Sequence, residues 1–189
     1  MTMKVYRIIK RTACNEIDCT IGNKLPIITP VYPISEIKRR LEATFEERRK
    51  IKFPDLTPRR SGPYAFPDLG QEVLWDEELL GNTSQDYLLL TLELKTPTTW
   101  FDATFYNQAG IEAVLFEKSN NKTYQENYLN NECIVDLIDG YWKSGIITDN
   151  PTEINYKLAE GIINGDETIV NCKIKHWDSI LGRCIPLSL

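Results

Sequence analysis

Apolar residues follow two different rhythms along this chain, and the switches between them mark out its elements. Residues 4–10 carry the β-branched Val5, Ile8 and Ile9 with no breaker among them, which predicts a strand. Prolines 26, 30 and 33 exclude a regular element over 20–33 and predict a loop with extended pieces. Helical spacing begins next: Ile34, Ile37, Leu41 and Phe45 recur every three or four residues, with Ser35 as a candidate N-cap. Charged side chains fill the other face of this helix through Lys50, and Pro54 stops it. Arg39-Arg40 and Arg48-Arg49-Lys50 fit its solvated face; a phosphate or nucleic-acid patch is the sharper alternative.

Residues 54–63 hold three prolines and two arginines and predict a loop that closes in Ser61-Gly62-Pro63, followed by a short strand at Tyr64-Ala65-Phe66. Residues 69–80 suit a helix ended by Gly81. Over 87–94, Leu88, Leu90, Leu92 and Leu94 share one face while Leu89 makes the other apolar, which predicts a central strand. Residues 99–105 read as a further extended piece, and 111–116 fit either a helix or a strand. Leu129, Cys133, Leu137 and Tyr141, backed by Ile134 and Ile138, predict a helix of about four turns with Gly145 just past its end. Residues 168–175 alternate, with Val170, Cys172 and Ile174 inward. Strands and helices mix without a βαβ rhythm, a repeat or a low-complexity tract. The expectation is a single α+β domain over 1–189.

Composition changes this picture by exclusion. A chain of 189 residues buries roughly 70% of its unfolded surface and needs no metal or disulfide to fold. A net charge of −5 argues against a dedicated nucleic-acid binder. No apolar run approaches the roughly 20 residues of a membrane helix, and the opening residues are charged too early for a secretory h-region. The expectation is therefore a cytoplasmic protein without membrane contact. The five cysteines form no C-x-x-C pair and His176 is the single histidine, so no metal site is expected. A cysteine nucleophile paired with His176 is less favoured than inert thiols. Neither a Walker loop nor a G-x-G-x-x-G turn is present.

One class of chemistry needs none of these parts. Cleaving the glycosidic bond of a nicotinamide dinucleotide requires an aromatic platform, a cation for the ribose–phosphate portion and a carboxylate facing the developing ribose cation. Tyr6-Arg7-Ile8 supplies a cation in the first strand, Ser61-Gly62-Pro63-Tyr64-Ala65-Phe66 an aromatic after a Gly/Ser turn, and Glu160-Gly161-Ile162-Ile163-Asn164-Gly165 a carboxylate before the last alternating strand. Glu153, after Asn150-Pro151-Thr152, is a second candidate.

In that order these segments resemble the ADP-ribosyltransferase superfamily, and within it a small bacterial or phage branch. The resemblance implies a split mixed β-sheet core with flanking helices and NAD as the substrate from which ADP-ribose is transferred. It implies that Arg7 grips the pyrophosphate or adenosine ribose with Arg60 assisting, Ser61 contacts the nicotinamide ribose and Tyr64 stacks on the nicotinamide. Glu160, or Glu153, then orients the ribose 2′-hydroxyl. The first strand has Arg rather than His, the Ser-Thr-Ser pattern of the arginine branches is absent, and no Glu-x-Glu or Gln-x-Glu pair precedes the last strand. The acceptor, whether protein, nucleic acid or small molecule, stays open.

Each residue also has a plainer reading. Arg7 could pair with a neighbouring acid at the surface, Tyr64 and Phe66 could be core aromatics, Arg59 and Arg60 surface charges, and Glu160 an exposed helix-end or strand-start residue. Trp75, Trp100, Trp142 and Trp177 read as core or cleft-wall residues. The corresponding alternative is a non-catalytic binding or inhibitor protein of similar fold, of mobile-element origin, whose acidic surface engages a basic partner.

Overall fold

The period-two stretches become strands and the helical stretches helices, in an α+β arrangement. The computed structural model describes residues 2–10, 36–59, 64–68, 87–95, 97–118, 131–163, 169–178 and 183–185. In chain order the elements are β1 (Met3–Lys10), α1 (Glu36–Lys52), β2 (Tyr64–Ala65), β3 (Tyr87–Leu94), β4 (Thr98–Asp102), α2 (Ala103–Lys118), α3 (Glu132–Lys143), β5 (Ile146–Thr148), β6 (Ala159–Ile162), β7 (Ile169–Asp178) and β8 (Arg183–Ile185). A 3-10 turn spans Pro151–Glu153.

Two antiparallel sheets result, ordered β1-β3-β7-β8 and β2-β6-β4-β5. As its two apolar faces require, β3 lies between β1 and β7. The sheets touch edge to edge through a bridge in which Tyr6 and Phe66 exchange backbone hydrogen bonds of 2.9 and 2.8 Å. Between the sheets lies one apolar core, built from Met3 and Val5 of β1, Leu90, Leu92 and Leu94 of β3, and Ala65, Trp100 and Ala159 of the second sheet. The other face of the second sheet carries the helices: Phe101 and Ile162 pack with Ile37, Leu41 and Phe45 of α1 and with Ile134, Ile138, Tyr141 and Trp142 of α3. Among the described residues no helix is long and apolar enough to cross a membrane.

Alternation along the middle strands decides which core each side chain enters. In β4, Trp100 joins the core between the sheets and Phe101 the helix-side core. In β6, Ala159 faces the sheets and Ile162 the helices, so Glu160 falls on the helix side, opposite Phe101 in the register. Trp100 lies across Gly161, where a Cβ would meet ring atoms at 2.6, 2.8 and 2.9 Å.

Several expectations are revised. The extended piece over 99–105 ends at Asp102, because that carboxylate accepts from the Thr104 backbone N–H at 3.0 Å and starts α2 as an N-cap does. The ambiguous 111–116 belongs to α2. The helix expected from Leu129 starts at Glu132, capped by Asn131, whose side chain accepts from the Cys133 N–H at 2.9 Å. Its buried stripe is Ile134, Ile138, Tyr141 and Trp142 rather than the Cys133–Leu137 line, and Cys133 is exposed. The helix over 69–80 and Trp75 lie outside the described residues, as do the side chains of β7.

The basic face of α1 is not uniformly solvated either. Arg39 is exposed and pairs with Glu36. Arg48 instead grips buried Asp139 of α3 with Nε and Nη2 at 2.9 and 2.6 Å, and Lys52 adds a third bond at 2.6 Å. Arg49 is buried, forks onto Glu46, and donates to the Pro54 and Leu56 carbonyls at 3.1 and 2.8 Å. Together these contacts fasten α1 to α3 and fix the turn that follows α1.

Gly161→Ala is expected to lower stability by about 1–3 kcal/mol, since Trp100 is fully buried and the added methyl forces both strands apart; urea denaturation monitored by tryptophan fluorescence measures it. At Asp139, burial raises the carboxyl, but the bonds and charges of Arg48 and Lys52 win and hold it below its ordinary value of 3.8. A depressed carboxylate stabilises the fold above its unfolded value and loses that contribution as pH falls through the folded one. The stability gap between wild type and Asp139→Asn should therefore be full at pH 7 and shrink below pH 3.8, read from melts across an acid series.

Candidate active site

The turn fixed by Arg49 delivers Arg59 into the helix-side interior, where it is 4% exposed. Four aromatic rings surround its guanidinium: Tyr106 at 3.8 Å from the ring centroid, Tyr64 and Tyr141 each at 5.0 Å, and Phe45 at 5.6 Å. Two carboxylates complete the surround. Arg59 Nη1 donates to Glu160 Oε1 at 2.7 Å, and Arg59 Nε stands 3.5 Å from Glu42 Oε2. That second approach is a charge contact without hydrogen-bond geometry, and Nε meets no hydrogen-bond acceptor. The tyrosines close the network: the Tyr141 hydroxyl donates to Glu160 Oε1 at 2.6 Å and the Tyr106 hydroxyl to Glu42 Oε1 at 2.7 Å.

Every neighbouring element contributes a part. α1 gives Glu42 and Phe45, β2 Tyr64, α2 Tyr106, α3 Tyr141 and β6 Glu160. Tyr141 is set by its own packing, with its ring stacked on Phe101 at 4.8 Å and edge-on to Phe45 and Trp142.

Electrostatics follow from burial. Glu160 is 2% exposed; burial pushes its carboxyl above the ordinary value, while Arg59, the Tyr141 hydroxyl and, further off, Arg7 pull it back. Burial also works against the Arg59 cation, but Glu160, Tyr141 and Glu42 outweigh it and hold Arg59 well above its ordinary value. At neutral pH this is an arginine cation clamped to a carboxylate of raised proton affinity. Burial likewise pushes the hydroxyls of Tyr64, Tyr106 and Tyr141 up, so all three are neutral hydrogen-bonding groups.

The structure brings together three of the residues singled out in the sequence. Arg7 on β1 is half-buried, and its charge reaches both Tyr64 and Glu160. β1 meets Phe66, next to β2, through the Tyr6 bridge, and β2 pairs with β6, Tyr64 opposite Ile162 and Ala65 opposite Gly161. Glu153 is elsewhere, on the exposed turn after β5. It accepts from Thr148 Oγ1 at 2.6 Å and Asn150 Nδ2 at 3.2 Å, bonds that hold its carboxyl below the ordinary value. Those contacts make it a turn-closing group. Arg60 and Ser61 lie outside the described residues. Among the described residues no group of His, Cys, Asp and Glu is arranged to hold a metal ion.

Two readings of single residues are corrected: Arg59 is a buried pivot rather than a surface charge, and Glu160 is interior rather than an exposed strand start. The sequence pattern assigns Glu42, Tyr106 and Tyr141 no part in the site. The available signal was an acid and tyrosines standing on apolar helix stripes, where a buried polar atom requires a partner. No protein-family model matches the chain, and comparisons with curated proteins and with solved structures return no match.

Arg59→Met strands the buried Glu160 and removes the charge partner of half-buried Glu42; it should cost about 3–5 kcal/mol, measured by chemical denaturation. Because the residues share one network, the double variant Arg59→Met/Glu160→Leu should cost less than the sum of its single variants.

Proposed function

We propose that this chain is an ADP-ribosyltransferase-like enzyme that uses NAD as substrate at the junction of β1, β2 and β6. The observation that carries the reading is spatial. Three segments distant in sequence, bearing Arg7, Tyr64 and Glu160, lie on neighbouring strands, with Arg7 electrostatically coupled to the other two. In this reading the fold is an ADP-ribosyltransferase-like split sheet and the protein acts in the cytoplasm. Arg7 offers charge to the pyrophosphate or adenosine ribose. Tyr64 borders the nicotinamide, and Arg60 and Ser61 keep the roles the resemblance gives them. Glu160 orients the ribose 2′-hydroxyl and stabilises the cation that develops at C1′. The C1′–N bond breaks with its electron pair on nicotinamide, which leaves neutral. The acceptor's nucleophile forms the new bond to C1′, and its proton passes to Glu160 or to water.

A second reading is favoured by one observation: Glu160 is 2% exposed and already paired with Arg59. A protein of this fold with a filled site would be a binding or inhibitor module that meets a basic partner through its acidic surface.

The two readings separate on NAD turnover followed by mass spectrometry. The enzymatic reading expects the wild type to release nicotinamide, Glu160→Gln to lose at least about 100-fold, and Glu153→Gln to keep its rate. A thermal melt of each variant checks that the fold survives. A wild type that does not consume NAD overturns the enzymatic reading, and one whose melting temperature also ignores NAD favours the binding module.

A further inference from the structure

We infer that Arg59 and Tyr141 are positioning residues for Glu160, both tying its Oε1 so that the carboxylate is held in one orientation. The inference deepens the enzymatic reading and rests on it for its role in catalysis, although the positioning itself is measurable without turnover.

Two donors from different elements converge on a single oxygen, Oε1, at 2.7 Å from Arg59 Nη1 and 2.6 Å from the Tyr141 hydroxyl. A glutamate has three side-chain torsions, and two converging bonds at its tip fix them together. The donors are themselves closely packed. Arg59 is enclosed by four rings, and Tyr141 is fully buried against Phe101, Phe45 and Trp142. A group that must meet a developing cation gains most from being held in place beforehand, because nothing then has to reorganise as the charge forms. Arg59 also supplies the counter-charge without which a carboxylate at this depth would take up a proton.

The titratable and charged groups facing Glu160 are Arg59 itself, Tyr141 of α3, Glu42 of α1, Tyr64 of β2, Tyr106 of α2 and Arg7 of β1. Arg59, Tyr141 and Arg7 favour the carboxylate, and Glu42 opposes it. Losing the Tyr141 hydroxyl therefore moves the Glu160 titration to higher pH, as does losing the Arg59 charge.

The experiment uses the full chain in four forms: wild type, Tyr141→Phe, Arg59→Lys and, as a control outside the site, Tyr156→Phe, whose hydroxyl bonds the Ser144 carbonyl. NAD is the probe. NAD hydrolysis is followed against pH, and the Glu160 carboxyl is titrated by NMR with carbon-13-labelled glutamate. Tyr141→Phe should shift the rising limb of the kcat profile and the Glu160 midpoint upward by about one pH unit, with KM for NAD within about twofold of wild type. Arg59→Lys should retain part of the rate, and Tyr156→Phe should move neither readout. If NAD is consumed and Glu160→Gln is inactive, yet Tyr141→Phe leaves both limb and midpoint in place, the inference is overturned while the enzymatic reading stands. If NAD is not consumed, that reading falls, and the Glu160 midpoint alone decides: an upward shift in Tyr141→Phe upholds the positioning, and an unmoved midpoint overturns it.

Discussion

A guanidinium in a dry interior has to find compensation on every side, and that requirement organises the helix layer of this protein. Arg59 cannot shed its charge, so α1 and β6 each supply a carboxylate while β2, α2 and α3 supply rings. The supporting contacts look different one by one but serve this single placement. Arg49 captures the Pro54 and Leu56 carbonyls and so fixes the path from α1 to Arg59. Asp139 binds α1 to α3 through Arg48 and Lys52, and the Trp142 indole donates to the Phe45 carbonyl at 2.9 Å. Each of these sets the spacing between the elements that carry Glu42, Phe45 and Tyr141.

The second sheet transmits the same constraint to the other core. In β6 the residues facing the first sheet are small, Ala159 and Gly161, because Trp100 fills the space above them. The residues facing the helices are Glu160 and Ile162, one polar and one apolar. Four residues therefore separate two cores and hold the one interior acid of that strand between them. Crowding at Gly161 would reach Glu160 through the backbone they share.

Much of the framework is legible in the sequence, and much of the site is not, for a definite physical reason. β3 and α1 repeat one rhythm for eight residues or more, and β1 is a stretch of β-branched residues without a breaker, so the sequence reveals all three. β6 is four residues long, with a glycine and a glutamate inside it, and shows no rhythm at all. Only the order of segments in the resemblance drew attention to Glu160, and order alone could not separate it from Glu153. Burial does: Glu160 lies in the interior, whereas Glu153 closes a surface turn. Arg59 was illegible for the opposite reason. It stands between Pro58 and Arg60, a setting that reads as exposed loop, and its partners are 17 residues back at Glu42 and 101 residues on at Glu160.

The cluster is an uneconomical way to hold a core together, and that bears on which functional reading it suits. Buried ion pairs are seldom more stabilising than apolar side chains of similar volume, because desolvation offsets most of the attraction. The Arg59 guanidinium stands among Phe45, Tyr64, Tyr106 and Tyr141, so its charge is set in a largely aromatic surround. The buried Arg59 charge by itself calls for a carboxylate, and the Tyr141 hydroxyl adds a second donor to the same Oε1. Under the enzymatic reading proposed above, an anion already oriented and counterbalanced would meet a developing cation with little reorganisation. Around Glu160, burial and the Glu42 charge raise the proton affinity of the carboxyl while Arg59 and the Tyr141 hydroxyl lower it.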